Sequence, residues 1–374
     1  MPFTFVNLGP GDPAPWFHAQ STANPRYAFD TAAGRFIVMC FLGTAGDEQG
    51  QAALRAVAAN RRMFDDDRIS LFGVTIDPAD RAKGRVLESL PGIRYFYDFD
   101  FAISRLFGSA PREMEGAPQV PVRRLWVVLD PTMRVLRVFP FAQDGSDARE
   151  LLAFLAALPA VDMFAGLQLQ APVLFLPRVF EPEFCGKLIE LYEAHGGEDS
   201  GFMREVDGRT LGVIDYSHKR RRDYNIEDQA IIKATQARIK RRVVPEIAKV
   251  HQFHVTRMER YIVASYSSEE GGHFAPHRDN TTKGTAHRRF AISINLNNDF
   301  EGGEICFPEY GPRGFKPPPG GAVVFSCSLL HAVSQVTKGR RYAFLPFVYD
   351  DAAAKVREEN NAFLGANVGA YQSA

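Results

Sequence analysis

Cysteine is scarce in this chain, and its four thiols (Cys40, Cys185, Cys306 and Cys327) stand far apart in sequence. A disulfide-built scaffold is thereby excluded, and reduced thiols in a cytoplasm are expected. Charge of a prevailing sign is also missing. Forty-four Lys and Arg offset forty-four Asp and Glu, for a formal net charge of zero. That leaves no electrostatic case for nucleic acid or an anionic membrane surface as a partner. No apolar run is long enough to span a bilayer. The opening MPFTFVNLGPGDPAPWF has neither a charged start nor an apolar centre, so no secretory signal is expected. Internal repeats and low-complexity stretches are absent as well. At 374 residues of ordinary composition, the expectation is a cytoplasmic protein of two globular domains.

What the chain does have is His277 and Asp279 in HFAPHRDN, and His331 in LLHAVSQVTKGRRYAF. Two histidines and one carboxylate, with coordination positions left open, form the ligand set of non-haem Fe(II) oxygenases. On an extended strand, residues two apart point to one face, so His277 and Asp279 can reach one metal while Arg278 points away. His331 must come from another strand. An isolated His-x-Asp is more often a surface ion pair, and a histidine after an apolar run is often a hydrogen-bonded core residue. HRD also occurs in kinase catalytic loops, but no glycine-rich loop, strand lysine or DFG accompanies it.

The flanking sequence adds weight. Lys338-Gly339 reads as a turn, and Arg341 to Tyr349 as a strand that starts beside the one ending near His331. A guanidinium there can grip a carboxylate through two parallel hydrogen bonds, as an oxygenase using 2-oxoglutarate requires. Alternation puts Arg340 on the opposite face and favours Arg341. FAISINLN has strand periodicity, Asn297-Asn298-Asp299 and Gly302-Gly303 mark turns, EICFPEY follows, and PPPGGAVVFSC is a glycine turn into a buried strand. Short antiparallel strands at this spacing predict a jelly roll or barrel.

Residues from about Pro172 to Tyr349 resemble the prolyl 4-hydroxylase type of 2-oxoglutarate/Fe(II) oxygenase. The resemblance runs in order through APVLFLPRVFEPEFCGKLIELYE, SY…HFAPHRDN, SINLNNDFEGGEICFPEYG, GGAVVFSCSLLHAV and GRRYAF. It implies a double-stranded β-helix that hydroxylates a C–H bond and releases succinate and CO2. His277, Asp279 and His331 carry over as the iron ligands. Arg341 carries over as the 2-oxoglutarate clamp. Tyr266 matches a tyrosine that hydrogen-bonds the cosubstrate, although SSEEGG adds residues between it and the first ligand. Asn295 stands where the family often places a tyrosine touching the cosubstrate, and its amide can donate the same bond over a shorter reach. Arg288 falls where the family approaches its substrate. Asp279 argues against a halogenase, in which a small residue leaves room for halide. The implied cofactors are Fe(II), 2-oxoglutarate and O2, with ascorbate as an accessory. His273 and His287 are expected to be solvent-exposed rather than ligands. The basic runs Lys219 to Arg222 and Lys240 to Arg242 are expected to be solvated faces.

The first half reads as a separate α/β unit. RFIVMCFLG and ISLFGVTID are buried strands, EQGQAALRAVAANRRMF and ARELLAFLAALPA are helical, FAISRLFG is a short helix, and RRLWVVLDPTMRVLRVFPF is a hairpin. GDPAPWF, FGVTIDP, YDFDFAISRLFG and RRLWVVLDPTMRV resemble a peroxiredoxin-type thioredoxin fold. The active loop departs from that family. The threonine position falls near Asp47 and the peroxidatic cysteine position near Gly50, with no cysteine in GTAGDEQGQAAL. Arg124 matches the thiolate-stabilising arginine, without its partner. A thiol peroxidase needs a thiolate, so the unit is expected to be non-catalytic and to serve dimerisation, substrate recruitment or structural support.

The expected domains are residues 1–162 (thioredoxin-like), 170–352 (oxygenase, opening on VLFLP and a helix from Pro182 with Glu181 and Glu183 at its positive end) and 353–374 (a helix, then a polar end without order). A helix from Glu227 to Val250 should kink or break at Pro245. The leading function is an Fe(II)/2-oxoglutarate dioxygenase acting on a protein residue, amino acid or small metabolite, and the peroxiredoxin resemblance is compatible with a homodimer. The alternatives are an iron- and 2-oxoglutarate-binding sensor with little turnover, and a peroxidase using Cys40.

Overall fold

The computed structural model describes residues 3–22, 24–114, 119–366 and 368–371. Met1 and Pro2 of the opening segment and residues 372–374 of the polar end lie outside them. The chain forms two compact units, residues 1–170 with 308–311, and residues 171–307 with 312–374.

The first unit is built on a five-stranded sheet. Its order is Ile93–Tyr97, Ile69–Thr75, Phe36–Gly43, Leu125–Leu129, Val135–Pro140. The first three strands run parallel, and the hairpin adds antiparallel to Phe36–Gly43. Every residue of Phe36–Gly43 and Ile69–Thr75 is buried, which explains their unbroken apolar runs. Helix Glu48–Ala59 starts at Asp47, whose side chain accepts the Gly50 N–H. Helices Ala102–Phe107 and Ser146–Ala156 complete the thioredoxin-like arrangement.

The second unit is a jelly roll. A large sheet centres on Phe290–Asn295, Val336–Phe344 and Ile262–Ser267. A smaller one runs Lys219–Arg220, His273–His277, His331–Val333, Ile305–Cys306, Gly314–Phe315. Period-two alternation divides the large sheet into two chemistries. Val263, Ile292, Ile294 and Phe344 pack with helices Pro182–His195, Gln229–Arg242 and Val244–His251 through Leu188, Ile239 and Ile247. Their neighbours Ala264 and Tyr266 cluster instead with Phe274 and Val333 of the small sheet.

Pro245 breaks the predicted long helix in two, taking a first-turn position where its missing N–H costs nothing. Lys338-Gly339 is not a turn. Both lie inside the continuous strand Val336–Phe344, opposite Glu301 and Phe300. Gly339 takes φ 71°, and a Cβ there would meet the Asp299 carbonyl at 2.5 Å. The glycine therefore serves a close approach within the ladder, and Arg341 stands in mid-strand. The polar end is also more ordered than expected. After helix Asp351–Glu359, Gly365 N–H donates to Thr210 O at 2.9 Å, and Asn361 brackets Tyr371 through two hydrogen bonds.

Candidate metal centre

Strands His273–His277 and His331–Val333 are antiparallel, and His277 and His331 are direct partners across them. The first strand ends at His277, so Asp279 lies in the following turn rather than on the strand, held by its N–H to Cys327 O at 2.9 Å. One ligand atom from each of His277, Asp279 and His331 falls within 4.8 Å of the others. Asp279 Oδ1 is 3.7 Å from His277 Nε2, and its Oδ2 is 3.3 Å from His331 Nε2. Each ring turns Nδ1 to the carbonyl two residues earlier, Ala275 at 2.8 Å and Leu329 at 3.0 Å. A proton held at Nδ1 leaves the Nε2 lone pair facing the shared point. Burial, then the neighbouring His331, hold the His277 pKa well below the usual imidazole value. A neutral ring is what a metal requires.

The facing sheet supplies a cation. Arg341 is 1% exposed and is the cross-strand partner of Tyr266, itself 1% exposed. Arg341 Nε donates to Asn295 Oδ1 and its Nη2 to Ser293 Oγ, both at 2.9 Å. Its Nη1 is buried with no hydrogen-bond partner among the described residues. Burial lowers the guanidinium pKa to about 10, which leaves it charged at neutral pH. Buried polar groups are seldom left unpaired, so this N–H is suited to an incoming acceptor such as a carboxylate. The His-Asp-His donor set and this orphaned N–H fit Fe(II) and 2-oxoglutarate together.

Residues 258–349 match the 2OG-Fe(II) oxygenase superfamily. The second unit carries a 2OG-Fe(II) oxygenase domain. The chain is 34% identical over 95 residues to a PKHD-type hydroxylase of Cupriavidus metallidurans, covering 22% of this chain and 42% of that protein. It is 26% identical over 103 residues to one from Prochlorococcus marinus, covering 27% and 46%. The chain thus spans less than half the length of these curated relatives. Among solved structures, similarity extends to a prolyl hydroxylase of Trichoplax adhaerens, solved with a hypoxia inducible factor peptide (16% identity, TM-score 0.40, 50% of this chain and 85% of that one). It extends also to a peroxidoxin of Mycobacterium tuberculosis (20% identity, TM-score 0.35, 41% and 100%). Fe(II), 2-oxoglutarate and O2 are the cofactors the superfamily implies.

Several flanking residues of the oxygenase domain differ from expectation. Asn295 is engaged at both ends, through Oδ1 with Arg341 and through Nδ2 with Pro317 O at 2.9 Å. It orients the guanidinium through Oδ1, and one of its two Nδ2 protons is left over from these bonds. Arg288 does not stand free for a substrate. Its Nε donates to Glu259 at 2.8 Å, and its Nη1 lies 3.4 Å from Asp279 O. His287 is buried, not exposed, with Nε2 3.1 Å from Glu259 Oε2. His273 is half-buried, with Nδ1 2.8 Å from Gly271 O and Nε2 3.3 Å from Ser217 O. The run Lys219 to Arg222 is no solvated face either. Lys219 and Arg221 are buried, Arg220 and Arg222 are half-buried, and Arg221 lies between strand Lys219–Arg220 of the small sheet and strand Arg222–Asn225 of the large one. Ser293 was missed by sequence reasoning, although FAISINLN places it on the face of Asn295. No motif marks Arg221.

In the first unit, Arg124 grips Asp47 in a two-pronged ion pair. That pair lowers the Asp47 pKa and occupies the arginine that would stabilise a thiolate. Cys40 is 2% exposed in strand Phe36–Gly43. Burial pushes its thiol well above the usual range, which suppresses the nucleophilic form.

Proposed function

We propose that this protein is an Fe(II)- and 2-oxoglutarate-dependent dioxygenase. It hydroxylates a C–H bond of a protein residue, an amino acid or a small metabolite, with release of succinate and CO2. The observation that carries the reading is the pairing of the His277, Asp279 and His331 cluster with the unpartnered Nη1 of Arg341 in the same domain. The three cluster residues would hold the iron, and Arg341 the far carboxylate of 2-oxoglutarate. Once bound, these cofactors supply oxidative decarboxylation coupled to oxygenation of a C–H bond.

The chain's own residues have defined tasks. The Ala275 and Leu329 carbonyls hold the protons of both rings at Nδ1, so Nε2 is free to bind metal. Asp279 brings the negative charge that balances a divalent ion, and it fills the position a halide would need. Asn295 and Ser293 fix the plane of Arg341, so its Nη1 donors are presented without reorganisation. Burial strengthens the pairing with a carboxylate by excluding water. The likeness to PKHD-type hydroxylases supports hydroxylation. The first unit is a non-catalytic module for dimerisation or substrate recruitment, a reading supported by its lack of a usable thiolate.

Anaerobic titration of the full chain with Fe(II) and 2-oxoglutarate, followed by the visible metal-to-ligand charge-transfer band, tests the reading. The band should form in the wild type and disappear in Asp279→Ala. It should demand far more 2-oxoglutarate in Arg341→Ala. A well-folded wild type with no band would overturn the assignment. Cosubstrate binding without succinate formation on any candidate substrate would favour the sensor.

A further inference from the structure

Two guanidinium groups approach the ring of Tyr266. Arg341 Cζ is 5.4 Å from the ring centroid and Arg221 Cζ is 5.7 Å from it. Arg221 Nη1 donates to the Tyr266 hydroxyl at 3.3 Å. A phenol oxygen has one proton to give and lone pairs to receive. With a lone pair occupied by Arg221, the proton is directed elsewhere, and no acceptor for it is found among the described residues. Arg341 Nη1, on the cross-strand partner of Tyr266, likewise lacks one. Two buried donors on paired residues therefore await acceptors, and one carboxylate has two oxygens to offer.

Arg221 is fixed by its own partners. Its Nη2 donates to Asp223 Oδ2 at 2.6 Å and to Ser200 Oγ at 3.1 Å. Ser200 Oγ donates to Asp223 Oδ2 at 2.5 Å, and Lys219 Nζ donates to Ser200 Oγ at 2.7 Å. This chain of bonds leads from Lys219 to the phenol of Tyr266. A buried ion pair serving packing alone has no need to end on a hydroxyl beside the cosubstrate clamp.

We propose that Arg221 is a positioning residue for 2-oxoglutarate, holding the Tyr266 hydroxyl as an acceptor so that its proton is delivered to the cosubstrate carboxylate gripped by Arg341. The inference rests on the dioxygenase reading and adds to it a residue outside the ligand and clamp motifs. Arg221 touches neither metal nor cosubstrate. It acts through Tyr266.

The test is a double-mutant cycle on the full chain, with Fe(II) and 2-oxoglutarate affinities measured anaerobically for wild type, Arg221→Gln, Arg221→Lys, Tyr266→Phe and Arg221→Gln/Tyr266→Phe. Arg221→Gln should weaken 2-oxoglutarate binding roughly tenfold, the effect of losing one charge-assisted hydrogen bond. Fe(II) binding should stay within about twofold. In the Tyr266→Phe background the same substitution should add almost nothing. Arg221→Lys retains charge and a donor and should recover part of the loss, which also covers the case in which the glutamine variant fails to fold. Unchanged cosubstrate affinity in either folded single variant at Arg221 would overturn the inference while leaving the dioxygenase reading intact. So would a tenfold loss that persists without the hydroxyl. A wild type that binds neither Fe(II) nor 2-oxoglutarate would overturn both.

Discussion

Asn295 accepts the Nε–H of Arg341 at 2.9 Å, so the amide acts on the guanidinium. Asn295→Ala should leave that N–H buried and unpaired, costing about 1–3 kcal/mol of stability. The freed guanidinium should also lose its fixed plane. We expect 2-oxoglutarate affinity to fall roughly tenfold, about one pK-unit equivalent, with Fe(II) affinity unchanged. Denaturant unfolding and a cosubstrate titration check the two halves separately.

Ser293 holds the other edge of the same guanidinium through Nη2. Ser293→Ala likewise removes a neutral acceptor and leaves a buried Nη2–H unpaired, so a comparable cost of about 1–3 kcal/mol in stability is expected. Combined with Asn295→Ala, the losses in 2-oxoglutarate affinity should be non-additive, because both residues act on one group. A double-mutant cycle measures this directly.

Asp223 provides a pH signature. Its carboxyl is held at about 2 against an ordinary 3.8. Burial would raise it, but Arg221, Lys219 and Arg260 together lower it further. The folded value lies below the unfolded one, so the stabilisation is fully present above about pH 4 and is lost as pH falls through 2. At pH 7 it amounts to ~2 kcal/mol. Asp223→Asn should therefore be destabilised at neutral pH, and its deficit relative to wild type should shrink as pH falls below 4. Urea unfolding at several pH values would show a constant deficit if this linkage were absent.

Restoring a cysteine should not restore peroxide chemistry. A Cβ on Gly50 would lie 1.9 Å from the Thr44 carbonyl oxygen, so Gly50→Cys must displace backbone at the start of its helix. Arg124 is already committed to Asp47. Peroxide consumption with a thiol reductant should remain at background in this variant. It should also be the same in wild type and Cys40→Ser.

The residues of the candidate site were legible because such a set depends on residue type and short spacing. His277, Asp279 and His331 announce a metal set, and strand alternation distinguishes Arg341 from Arg340. In KRRRD, Lys219 and Arg221 are buried and Arg220 and Arg222 half-buried, with Arg221 between strands of two different sheets, an arrangement no single strand period announces. Reading that run by charge concealed it. His287 was misjudged for a different reason. Its burial depends on Glu259 and on the distant Arg357, which no local pattern announces. Gly339 misled because a glycine needed for close approach within a ladder has the same local signature as one in a turn. In the first unit, the missing cysteine was plain, but the ion pair that fills its loop joins residues 77 apart.

The Glu259 cluster sets a practical limit on where the oxygenase can be cut. Glu259 receives Arg288 at 2.8 Å and Arg357 at 2.7 Å, and Arg288 reaches back to the carbonyl of Asp279. A fragment trimmed at residue 349, where the superfamily match stops, would discard Arg357 and unbalance a buried carboxylate one contact away from the metal loop. Loss of iron in such a fragment would report on its missing counter-charge, not on the ligands themselves.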